Sequence, residues 1–60
     1  MEKNQNLILK TMKARVDSIR EYRYATGDEH PRHKEIWQEI DTLYNQLDRK
    51  RQEEFNWYCD

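Results

Sequence analysis

The sequence predicts an all-α fold, an antiparallel two-helix hairpin that pairs with a second copy into a four-helix bundle. Three observations predict it. Over residues 36–47 the apolar side chains Ile36, Trp37, Ile40, Leu43, Tyr44 and Leu47 recur at steps of three and four, the spacing of a helix face, and strand alternation fails. The same spacing runs upstream through Leu9, Met12, Val16 and Ile19. Between the two stripes stand the only Gly and the only Pro, Gly27 and Pro31, so one sharp break divides the chain.

Residues 1–6 are polar and are expected to fray. The first helix is predicted over about residues 4–25, with Ile8 and Tyr22 forming a partial second apolar column and Lys10, Lys13, Asp17 and Arg20 turned to solvent. Thr26 and Gly27 end it, Gly27 in the left-handed conformation that follows a helix C-terminus. Residues 26–30 make the turn. Pro31 suits a first helical position, Asp28, Glu29 and His30 compete as the cap, and the residue before Pro is biased to an extended backbone.

The second helix is predicted to run unbroken over about residues 31–56, with Trp37 and Tyr44 as its own second column. Folding the chain at the turn pairs positions whose numbers add to about 56, so Val16 meets Ile40, Met12 meets Leu43 or Tyr44, and Leu9 meets Leu47. Charge agrees: residues 1–27 hold six Lys/Arg and three Asp/Glu, residues 28–60 five and nine. Residues 48–54 are polar all round, and an aromatic tail, residues 55–60, closes the chain.

Sixty residues make one small domain. Leu, Ile, Val and Phe number only ten and 38% of residues are charged, so the lone hairpin is expected to be marginally stable. One cysteine excludes an internal disulfide, which leaves dimerisation as the remedy. The longest apolar run, residues 7–9, is too short for a signal peptide or a membrane span, and the expected location is cytoplasmic.

Catalysis finds no support: no nucleophile–base arrangement, no Gly-rich phosphate loop and no concave fold that excludes water. No cofactor is expected. His30, His33 and Cys59 invite a metal reading, but an unbroken second helix holds Cys59 far from the histidines and a fourth ligand is missing, so no metal is expected. Arg20, Tyr22, Arg23, Tyr24 and Arg32 gather cations and aromatics at the turn and form an alternative nucleic-acid contact. Net charge −1 and an acidic second arm provide no broad positive field for it. Phe55, Trp57 and Tyr58 are candidate partner-binding residues; in the hairpin register they lie beside residues 1–7 and otherwise cap that end.

The turn Glu29-His30-Pro31-Arg32-His33 and the helix over residues 37–47 resemble small proteins of the exo–xis region of lambda-like temperate phages. The resemblance covers about a third of the chain and brings no site residues with it. It implies a helical accessory protein, made early in infection, that shifts the lysis–lysogeny balance or host growth in the bacterial cytoplasm. The expected function is a non-enzymatic, regulatory protein-interaction module, a homodimer that also engages a host protein. Its predicted interface comprises Ile8, Met12, Ile19, Tyr22, Trp37, Ile40, Tyr44 and Leu47, with the two second columns as the seam between chains.

Overall fold

A computed structural model describes residues 4–59, which form three helices and no strand: α1 (Gln5–Thr26), α2 (His33–Tyr44) and α3 (Arg49–Cys59). The predicted α class stands. The first helix and turn also form where the pattern puts them. Asn4 caps α1 by accepting the Leu7 N–H at 3.0 Å. Gly27 closes it at φ 76°, its N–H donating to the Arg23 carbonyl. Thr26 secures the same end, donating to the Tyr22 carbonyl and accepting from the Asp28 N–H.

α2 starts two residues later than predicted. His30 does cap the turn, its Nδ1 accepting the Arg32 N–H at 3.0 Å, but Pro31 and Arg32 first make a single tight turn. Glu35 then lies in the first turn of α2, paired with Arg32 at 3.0 Å.

The second helix does not run through to residue 56. It ends at Tyr44, tightens through hydrogen bonds from Gln46 and Leu47 to carbonyls three residues back, and restarts at Arg49. Asp48 starts α3 as its N-cap, accepting the Arg51 N–H on Oδ1 at 2.9 Å while Oδ2 pairs with the Arg51 guanidinium. Gln5 holds the joint from across the molecule: its amide donates to the Gln46 carbonyl at 2.9 Å and accepts the Asp48 N–H at 2.7 Å. Gln52 adds a bond to the Tyr44 carbonyl at 2.9 Å. Gln5 and Asp48 thus satisfy backbone groups that the bend would strand, and Gln52 reinforces a carbonyl that Leu47 already bonds.

The bend reverses the chain. Contacts of α2 with α1 descend as the numbers rise, Arg15 with Glu39 and Gln5 with Gln46, so these helices are antiparallel. Contacts of α3 with α1 ascend together: Asn6 with Arg51, Lys13 with Glu54, Asp17 with Tyr58, Arg20 with Cys59. α3 therefore runs parallel to α1, beside α2, which it meets through Tyr44. Two short helices cover one long one.

Leu9, Met12, Val16, Ile40, Leu47 and Phe55 form the shared core, with Ile8, Ile36, Trp37, Leu43, Tyr44 and Tyr58 packed at its margin. The predicted pairing of the two stripes is realised in this cluster. Ile19 is buried outside it. The two cross-arm ion pairs, Lys13–Glu54 and Arg15–Glu39, both join the basic first arm to the acidic second. No helix among the described residues is long and apolar enough to cross a membrane.

Candidate functional site

The bend creates the one feature that a plain hairpin would lack, a groove between α2 and α3. Trp37, Ile40, Asp41 and Tyr44 line it from α2, and Phe55 and Asn56 from α3. Phe55 forms its floor; its ring meets Tyr44 edge-on at 6.1 Å, and Asn56 donates to the Tyr44 hydroxyl at 3.1 Å. A second, shallower depression on the outer face of α2 is lined by His33, Lys34, Trp37, Gln38, Asp41 and Thr42. Trp37 and Asp41 belong to both, so the half-buried indole is the ridge between them. His33 stands edge-on to that indole at 6.2 Å, with Nδ1 enclosed and lacking a hydrogen-bond partner. Trp57 follows Asn56 on the solvent side of α3 and is 81% exposed.

Among the eight predicted interface residues, Met12, Ile19, Ile40 and Leu47 are buried within the chain itself. Ile8 packs at the margin of the same core, and Tyr22 tilts against His30 at 4.9 Å, under the turn. Tyr44 is taken up by α3. The bend supplies this cover: α3 occupies surface that a straight second helix would have left open. Trp37 stays half-buried, and Tyr22 is 36% exposed.

The aromatic tail is also relocated. Because α3 runs parallel to α1, residues 55–59 lie beside Lys13, Asp17 and Arg20 and not beside residues 4–7; residues 1–3 and Asp60 lie outside the described residues. Phe55 is core, Trp57 is open, and Tyr58 is a bridge between helices. The Tyr58 hydroxyl donates to Asp17 Oδ1, and Lys13 and Arg20 sit over its ring at 5.2 and 5.7 Å. The hydrogen bond to Asp17 raises the Tyr58 pKa above its ordinary value, with desolvation and the Asp17 charge adding and Arg20 opposing.

At the turn, Arg20 donates to the Cys59 carbonyl at 2.8 Å and Arg32 is paired with Glu35, so two of the cations proposed for nucleic acid are engaged within the chain. Arg23 and Tyr24 remain exposed, Tyr24 at 94%. The bend carries Cys59 back to the level of Arg20, yet among the described residues no three His, Cys, Asp or Glu side chains converge as a metal site would require. Comparison with protein-family models, with curated proteins and with solved structures finds no match for this chain. Its surface chemistry is therefore the guide to function.

The sequence marks Trp37 as second-column and Trp57 as tail, but predicts no groove between their helices. Two signals pointed to the groove. Lys50, Arg51 and Glu54 occupy the positions where the stripe from Leu47 would continue, and Asp48 is a favoured N-cap residue.

Proposed function

We propose that this chain is a non-enzymatic protein-interaction module that works as a homodimer and engages a further protein through the Trp37–Trp57 side of α2 and α3. The observation that carries this reading is the indole of Trp37, half-buried on the rim of an apolar groove, with an almost fully exposed Trp57 on the adjacent helix. Tryptophan is enriched among residues that dominate binding energy, and an indole left in water is costly unless something covers it. The ten Leu, Ile, Val and Phe residues of a 60-residue chain make a small core, which supports self-association as a source of stability. On its resemblance to exo–xis accessory proteins, the role is that of an early regulatory protein of a temperate phage. It would act in the bacterial cytoplasm on host physiology or on the lysis–lysogeny balance.

Sedimentation equilibrium and affinity capture test the two parts. The purified protein is expected to sediment as a dimer at micromolar concentration; a monomer throughout that range overturns self-association. Tagged protein is expected to capture a bacterial protein that the Trp37→Ala/Trp57→Ala variant loses while keeping its helical circular dichroism. Identical capture by the variant and the wild type removes the tryptophan face from the reading.

A further inference from the structure

We propose that two copies of this chain pair by exchanging α3, the residues 45–48 joint opening so that α2 and α3 become one continuous helix. This rests on the homodimer reading above and specifies how the copies meet. Four observations carry it.

The joint contains neither Gly nor Pro, and no residue after Pro31 is either one. Asn45 already has helical dihedrals, φ −67° and ψ −14°, so few backbone angles separate the bend from an unbroken helix. Residues 45–54 are mostly good helix formers, among them Gln46, Leu47, Arg49, Lys50, Arg51, Gln52, Glu53 and Glu54. Helix propensity thus favours the straight form, and against it stand the Asp48 cap and contacts from elsewhere.

Those contacts are the second observation. The bend relies on Gln5 to satisfy the Gln46 carbonyl and the Asp48 N–H, and Gln52 adds a second donor to the Tyr44 carbonyl that Leu47 already bonds. In a straight helix the same groups bond to residues four positions away and need neither glutamine.

Third, the dock of α3 is transferable. It consists of Phe55 in the core and polar contacts from Arg51, Glu54, Tyr58 and Cys59 to α1. Each is a contact between helices, so each can form with the α1 of another copy, and exchange then costs none of them.

Topology is the fourth. Because α3 is parallel to its own α1 when bent, straightening turns it antiparallel to that α1. It then lies parallel to the α1 of a copy related by a two-fold axis across the helices. The geometry closes as a symmetric pair. The straight helix, residues 33–59, would span about 40 Å, against a longest dimension of 41 Å for the whole bent chain. Each half keeps an α2–α3 groove, one wall now supplied by each copy, so the pair presents the tryptophan face twice.

The test mixes two single-cysteine chains, Lys13→Cys/Cys59→Ser and Glu54→Cys/Cys59→Ser, denatured and refolded together at high concentration. Lys13 and Glu54 form an exposed ion pair across the α1–α3 contact, so losing it leaves folding intact. A short bismaleimide linker is expected to join position 13 of one chain to position 54 of the other, with the bridged peptide identified by mass spectrometry. Gln5→Ala, which weakens only the bent form, is expected to raise the dimer fraction several-fold. A dimer by sedimentation that shows no 13–54 bridge between chains overturns the exchange and leaves the homodimer standing. No dimer at any concentration overturns both. A fall in dimer fraction on Gln5→Ala also counts against exchange, since a pair joined through outer faces does not gain from losing Gln5.

Discussion

Tyr58 ties α3 to the middle of α1 through one proton. Its hydroxyl donates to Asp17, and that bond exists only while the phenol is protonated, which is why the folded pKa is raised. The unfolded chain releases this proton near the ordinary tyrosine value of about 10, whereas the folded chain holds it to higher pH. The contribution of Tyr58 to stability is therefore complete below that ordinary value and is lost as pH rises through the folded pKa. Spectrophotometric titration of the phenolates is expected to show one of the four tyrosines ionising last, and Tyr58→Phe should remove that component. Helicity of the wild type should decline across the same alkaline range more steeply than that of the variant. Gly27 works differently. A Cβ there would touch nothing within 4 Å, so its requirement is the left-handed backbone alone.

Among the elements, α3 is the weakest on its own terms: 11 residues, with Phe55 as its single buried side chain. Helices of that length do not persist alone in water, so Phe55 and its surround hold α3 in place. Phe55→Ala is expected to cost about 3–5 kcal/mol, against a total near 3–9 kcal/mol for a domain of this size. Urea titration followed by circular dichroism should show α3 melting first, with α1 retaining residual helix. The same element marks the limit of what sequence periodicity reveals. α1 was legible almost to the residue, because the Leu9–Met12–Val16–Ile19 stripe and Gly27 act locally. The joint was not, because Leu47 prolongs the α2 stripe, and Asp48 and the polar residues after it suit a solvated helix face as well as a new cap. Its causes lie 41 and 43 positions away in Gln5, and in a seat for Phe55 that exists only once α1 and α2 have packed. The groove was hidden for the same reason, since its walls come from either side of a bend set by tertiary contacts.

The whole molecule is slender for its mass. It measures 41 × 20 × 14 Å with a radius of gyration of 12.2 Å, where a compact 60-residue chain would have about 10 Å. Its surface of 4962 Å² exceeds the roughly 4250 Å² of a compact monomer of that mass. Such a shape gains stability by association, and association makes the melting midpoint depend on chain concentration. Raising the concentration tenfold is expected to raise the midpoint of a thermal scan by several degrees; a midpoint that does not move would contradict a dimeric ground state. One consequence concerns biosynthesis. Gln5 is joined to the chain some forty residues before the backbone groups it secures, which at roughly 5–20 residues per second is an interval of seconds. Helical turns form within microseconds, so the pairing of Gln5 with residues 46–48 waits on synthesis and not on helix formation. The bend is thus set only once α3 has been made and has met an α1, its own or, on the exchange proposed above, that of a neighbouring copy.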